Sequence, residues 1–324
     1  MPALDKPLAE LRAYYGSSPL PADFDAYWSR ALAELDDTPP QAVLTPNSML
    51  RARGVETFDL TFTGVGGARV YAKYLRPEQP TPPCPALLQF HGYAGNSGEW
   101  VDKAAFVAEG FAVAAMDTRG QGGLSEDVGG VTGNTLNGHI IRGLAQGADA
   151  LLFRNIFLDT VQLARVVAGL PEVDASRLSC MGASQGGALS IACAALEPRI
   201  RHCVSVYPFL SDYQRVWDMD LDKDAYAELR TYLRNFDPMG KNREQIFETL
   251  GYIDIQNLAS RISADVLMAI TLMDNICPPS SQFAVYNKIK SQKEVVIFPD
   301  HGHEVLPGFR DLEFNFLAKA KIFP

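Results

Sequence analysis

The chain has 324 residues, 47% of them hydrophobic and 21% charged, with 29 basic against 38 acidic side chains and a net charge of −9. That much apolar material builds a core and excludes disorder as the main state. A surface of this sign repels phosphate backbones and anionic lipid, so neither nucleic acid nor a membrane is an expected partner. No apolar run approaches the roughly 20 residues of a membrane span. The opening MPALDKPLAELRAYYG carries acids and no apolar h-region, which argues against a secretory signal. Cys84, Cys180, Cys193, Cys203 and Cys277 make an odd count without C-x-x-C spacing, as expected of free thiols in a reducing cytoplasm.

The elements follow in chain order. Pro21 to Leu35 places Phe24, Tyr27, Trp28, Ala31 and Leu35 on one helical face, and a proline-rich passage around Pro39, Pro40 and Pro46 follows. Glu56 to Phe62 and Arg69 to Leu75 alternate apolar with polar residues around Gly64 to Gly67, which predicts a β-hairpin with edge strands in need of protection. From residue 85 the pattern changes to short apolar runs: Ala86–Phe90, Phe111–Met116, Leu178–Met181, His202–Val206, Val266–Leu272 and Glu294–Phe298. Helical stretches such as Glu99–Glu109, Asn155–Ala168 and Gly187–Leu196 lie between several of them. This alternation predicts βαβ units and a mostly parallel, doubly wound sheet covered on both faces. Asp212 to Asn257 breaks it with charged, aromatic-rich helix formers and reads as a helical insertion, a candidate lid. The expectation is one domain over residues 1–324, with an N-terminal extension (1–55) and an insertion at about 212–257.

Gly182-Ala183-Ser184-Gln185-Gly186 fits G-x-S-x-G between a strand-like RLSCM and a helix-forming GALSIACAAL. Such a sharp strand-to-helix turn exposes the serine at a helix N-terminus, where backbone N–H groups stabilise an oxyanion. The serine needs a base and an orienting acid, in chain order Ser, Asp or Glu, His. His303 in PDHGHE follows the strand EVVIF and lies where a loop reaches over the sheet edge, with Gly302 permitting the turn; His301 is the alternative. Asp274 ends the apolar run VLMAITLMD before a proline-forced loop, with Asp300 as runner-up. The other acids from Asp212 to Asp254 read as solvated surface. The oxyanion donors are expected to be the N–H of Gln185 and that of Tyr93, on the loop after LLQF. His91 reads as a packing or hydrogen-bonding residue and His202 as structural. A metal at the His-x-His pair lacks a second ligand cluster. Neither metal nor organic cofactor is expected.

Arg119-Gly120-Gln121, the serine elbow and His303-Glu304, in that order, make the chain resemble carbohydrate esterase family seven, the acetyl xylan esterases and cephalosporin-C deacetylases. YPFLSD, GYIDIQNLA and LMDNICPPS are similar to the same family. The resemblance implies an α/β-hydrolase fold, with Ser184, Asp274 and His303 as triad and Tyr93 and Gln185 as oxyanion hole. Arg119, Gln121, Gly182, Gly186 and Glu304 would support the site without reacting. It also implies acetylated carbohydrates such as xylo-oligosaccharides, or cephalosporin C, as substrates, and a doughnut-shaped homo-hexamer with active sites facing an internal cavity. Ala225 stands where many members carry proline before Tyr-x-Glu, which bears on the acyl pocket. A short-to-medium-chain carboxylesterase or acyl-peptidase is the rival enzyme, and a non-catalytic hydrolase-fold interaction protein is the rival from another class.

Overall fold

The structure, a computed structural model, describes residues 4–80, 83–128 and 137–319. The N-terminal extension contains α1 (Leu8–Leu11) and α2 (Phe24–Asp36) and leads into the antiparallel strands β1 (Val43–Pro46), β2 (Val55–Thr63) and β3 (Arg69–Pro77). The alternating part runs β4 (Cys84–Phe90), α3 (Ala104–Ala108), β5 (Ala112–Met116), α4 (Leu152–Ala168), β6 (Val173–Ala183), α5 (Gln185–Leu196) and β7 (Ile200–Val206). Between β7 and β8 (Asp265–Thr271) the chain forms α6 (Tyr213–Asp218), α7 (Ala227–Phe236), α8 (Arg243–Gly251) and α9 (Ile255–Leu258), with β8 following α9. It closes with α10 (Pro279–Lys288), β9 (Lys293–Phe298) and α11 (Phe309–Ala318). No described helix is long and apolar enough to cross a membrane.

The described strands form one sheet in the order β1-β2-β3-β5-β4-β6-β7-β8-β9, parallel from β5 to β9. β4 and β5 are buried on both faces, which is why they read as unbroken apolar runs. From β4 the chain moves outward to β5 and then returns to β6 on the other side. Strand order therefore reverses between β4 and β6, and a crevice opens at their carboxyl ends. Register aligns those ends, with Phe90 opposite Gly182 and Ala183 opposite Val206. Small residues let α5 sit close behind: a Cβ on Gly187 would stand 2.8 Å from the Val206 carbonyl oxygen. α4 and α5 cover one face together with the insertion, while α3 and α11 cover the other.

The sequence expectation needs two corrections. The hairpin is not the sheet edge, because β1 pairs along the outer side of β2. β1 is short, mostly exposed and ends in a proline, features that blunt an edge and also hide it among the neighbouring prolines. The insertion's acids are likewise not uniformly solvated: Asp212, Asp222, Glu228, Asp237 and Asp254 are buried, whereas Asp218, Asp220 and Asp224 are exposed. The buried ones anchor chain. Asp212 accepts from the Tyr14 hydroxyl (2.7 Å) and from the Ser17 and Ser18 N–H groups (3.0 and 2.8 Å), tying the extension to the insertion. Asp254 accepts from the Gln256 N–H at the start of α9 and from the Asp212 N–H. The predicted face of α2 is buried, and its Trp28 donates to the Tyr252 carbonyl at 3.1 Å while stacking on Phe157.

Candidate active site

β6 ends at Ala183 and α5 begins at Gln185, so Ser184 alone makes the turn, at φ 56° and ψ −118°. A side chain there rarely tolerates such a backbone, at a cost of order 1–3 kcal/mol, and its neighbours hold it in place. A Cβ on Gly182 would meet the Phe90 carbonyl oxygen at 2.6 Å, and one on Gly186 would meet it at 2.1 Å. Glycine at both positions therefore lets the turn press against the end of β4. The Ser184 N–H donates to the Val206 carbonyl (2.9 Å), and its carbonyl accepts from the Phe209 N–H (3.0 Å).

His303 lies beside Asp274, with Nδ1 2.8 Å from Oδ2. Asp274 is fully buried and also accepts the N–H groups of Ile276 and Cys277 at 2.9 and 2.8 Å. An ionised Asp274 fixes the Nδ1–H tautomer and leaves Nε2 as the basic nitrogen. The Tyr207 ring packs on the imidazole with centroids 4.5 Å apart. Asp300 is exposed, and His301 packs edge-on to Phe298 rather than pairing with Asp274. Gly302 has no left-handed backbone; it passes close to the Met273 carbonyl, and its N–H donates to the Glu304 carboxylate at 3.0 Å. Ligand atoms of Asp274, Cys277 and His303 lie within 4.8 Å of one another. These three would be the donors if a metal bound among the described residues, although Asp274 already spends its oxygens on the imidazole and two amides. Burial, reinforced by Asp274, pushes the Cys277 thiol up, so it stays protonated and does not compete as a nucleophile.

Gln185 opens α5, so its N–H has no helical carbonyl to meet. The loop after β4 brings Tyr93 to the same crevice, and Gln121 bridges the two sides. Its Nε2 donates to Gln185 Oε1 (2.7 Å), and its Oε1 accepts the Ala94 N–H (2.9 Å). Arg119 is 1% exposed and makes a two-pronged ion pair with Asp159 of α4, both contacts at 2.6 Å. That pair pins the Arg-Gly-Gln loop to the body of the fold. The predicted hydrogen-bonding role of His91 is seen as well: its Nε2 accepts the Thr118 N–H at 2.9 Å.

Three supports were not singled out from the sequence. Asp117 accepts the Ser97 and Leu124 N–H groups at 2.6 and 2.8 Å, and a Cβ on Gly123 would collide with it. Asp159 carried a signal, as the one acid in the mostly apolar FLDTVQLARVV. Glu228 closes the Tyr-x-Glu pattern after Ala225, but an acid in that charged insertion resembles surface. It accepts the Tyr93 hydroxyl at 2.7 Å and the Ile140 N–H at 3.0 Å.

Residues 1–320 match the protein family described as acetyl xylan esterase (AXE1). The chain superposes on acetyl xylan esterase 1 of Thermoanaerobacterium sp. JW/SL YS485 with a TM-score of 0.95 at 57% identity, covering 98% of this chain and 99% of that one. An acetyl xylan esterase from Paenibacillus sp. R4 is similar at a TM-score of 0.92 and 33% identity, over 97% and 99% of the two chains. In sequence, an acetyl esterase of Xylanibacter ruminicola is 27% identical over 288 residues, 87% of this chain. The chain spans 63% of that relative's length.

Burial pushes the Glu228 carboxyl up to about 7, although Tyr93 and the backbone donors pull it down. A carboxyl raised in the folded state binds more protons there than in the unfolded chain, so its contribution falls as pH rises through the folded value. Glu228→Gln cannot titrate. Denaturant unfolding should show wild-type stability dropping relative to Glu228→Gln between pH 5 and 8. A constant difference would mean that Glu228 is not held in this environment.

Proposed function

Because the chain belongs to the acetyl xylan esterase family, whose members are carboxylic ester hydrolases, we propose that it removes acetyl groups from xylan-derived oligosaccharides through Ser184, Asp274 and His303. The observation that carries the residue assignment is the 2.8 Å contact of His303 with buried Asp274, with Tyr207 packed on that imidazole directly after Val206, whose carbonyl accepts the N–H of the strained Ser184. As Ser184 Oγ attacks the acetyl carbonyl, His303 takes its proton and Asp274 stabilises the imidazolium. The N–H groups of Tyr93 and Gln185 hold the oxyanion. His303 then gives the proton to the departing sugar oxygen, leaving an acetyl-enzyme. Water deprotonated by His303 attacks that ester, and acetate leaves. No step calls for a metal or organic cofactor.

The acyl side is proposed to lie under the insertion, acting as a lid. Tyr93 packs on His139 and Phe209, with ring centroids at 5.0 and 5.5 Å, and Phe209 packs on Tyr226 at 4.4 Å. Glu228 fixes the Tyr93 hydroxyl from α7. A rigid aromatic wall of this kind suits a two-carbon acyl group, and small acetyl esters such as cephalosporin C fall within the same proposal. The five cysteines are free and buried, which favours a reducing cytoplasm. The family resemblance further supports a hexamer, and the exposed β1 edge offers a surface for it. Light scattering should then give six chains per particle; a monomer at micromolar concentration would remove the hexamer.

Ser184→Ala should lose about 10⁶ in kcat while keeping its fold. His303→Ala and Asp274→Asn should be severely impaired, with His301→Ala and Asp300→Asn close to wild type. The reverse ranking would overturn the assignment. Across p-nitrophenyl acetate, butyrate and octanoate, kcat/KM should be highest for acetate, since each methylene without room costs roughly 1–3 kcal/mol. Ala225 is the residue whose small side chain would relax this limit. A maximum at octanoate would favour the general carboxylesterase.

A further inference from the structure

A cavity of about 340 Å³ opens on the sheet face covered by α3 and α11, bordered by Ala183 and by Val305 and Leu306 of the His303 loop. Phe90, Met181, Tyr207, Leu306 and Phe309 supply its apolar wall. Two polar side chains line it without ordinary partners. The Gln89 amide donates to Met181 Sδ at 3.5 Å, and a thioether is a weak acceptor. Glu313 is 8% exposed, and no hydrogen bond or ion pair reaches it among the described residues; Arg310 acts on it only through its charge. Native structures pair such groups with protein or with water, and a ligand hydroxyl entering this cavity would take over that pairing.

The position of the cavity says which part of the substrate it serves. Tyr207 lines it and also packs on the His303 ring. Val305 and Leu306, directly after the His303 loop, form its rim, and Val305 is 82% exposed. The proton held by His303 goes to the sugar oxygen during acyl transfer, so the alcohol stands on this side. We infer that the cavity is the alcohol-side subsite, which holds one pyranose ring of the acetylated oligosaccharide by hydrogen bonds to Gln89 and Glu313. This inference rests on the esterase reading above. An amide and a carboxyl match the mixed donors and acceptors of a sugar ring, and the aromatic wall meets its C–H face. Burial pushes the Glu313 carboxyl up to about 7, so at pH 8 it is largely ionised and accepts charge-assisted hydrogen bonds from sugar hydroxyls that a neutral amide does not match. The volume is at the low end for ligand pockets, roughly 300–1,000 Å³, and suits a single ring.

Xylobiose titrated calorimetrically into the whole protein at pH 8 tests this without any ester chemistry. Measurable binding is expected for the wild type. At least ten-fold weaker binding is expected for Glu313→Gln and for Ala115→Leu, which fills the cavity from β5. Should Ala115→Leu fail to fold, the near-isosteric Glu313→Gln decides alone, with its melting temperature as the check on folding. No binding to the wild type, or equal affinity in a folded Glu313→Gln, would overturn the subsite. Acetate release from acetylated xylo-oligosaccharides is measured in parallel. Release without xylobiose binding removes the subsite alone, while xylobiose binding without release removes the esterase reading and leaves a sugar-binding cavity.

Discussion

The close approach of the Ser184 turn to the carboxyl end of β4 is the constraint on which the site depends. Gly182 and Gly186 both lie against the Phe90 carbonyl, where no Cβ fits. The contact places the start of α5 beside the loop after β4, so amide groups from two separate segments converge on one crevice. It also forces the left-handed backbone of Ser184. Strain continues in the loop after β7, where Tyr207, Leu210 and Asp212 all have positive φ. That loop returns to the elbow through the bond from Phe209 N–H to the Ser184 carbonyl, and it sets Tyr207 on His303. Unfavourable backbone conformations thus gather where geometry matters most, held by a sheet that is buried on both faces.

Around that turn, polar contacts fix what packing alone would leave loose. Gln121 spans the crevice between Gln185 and Ala94, and Glu228 reaches down from α7 to the Tyr93 hydroxyl. Both hold the side chains of Gln185 and Tyr93, the two residues proposed to offer backbone N–H groups to the oxyanion. The Arg119–Asp159 pair is buried, and breaking such a pair by removing one partner costs roughly 3–5 kcal/mol because a charge is left uncompensated. Its value lies in fixing the position of the Arg-Gly-Gln loop rather than in net stability.

The N-terminal extension and the insertion depend on each other. Asp212, at the start of the insertion, holds Tyr14, Ser17 and Ser18, while Asp5 pairs with Arg215 at 2.7 Å and accepts the Ser280 N–H at 2.7 Å. The extension therefore straps α6 and α10 together behind the Asp274 loop. Its sequence is remote from the elbow, yet it steadies the segment that carries Asp274.

Local chemistry made much of this legible in the sequence. Glycines flanking a serine, a carboxylate ending an apolar strand and a histidine past the last strand each depend on neighbours within a few residues. The β/α alternation is equally local, because hydrophobic period and turn residues report it directly. Partners far apart in the chain were not legible. A buried acid and a solvated one have the same local sequence, so Asp212, Glu228 and Asp254 looked like surface until distant donors were brought to them. β1 was hidden for the same reason, since a short exposed strand beside prolines shows itself only through pairing with β2. Residue types and their order determined the kind of turn and the direction of the sheet. Only the folded chain decided which polar groups meet, because a hydrogen bond between segments 135 residues apart, such as Tyr93 to Glu228, leaves no periodicity in either segment.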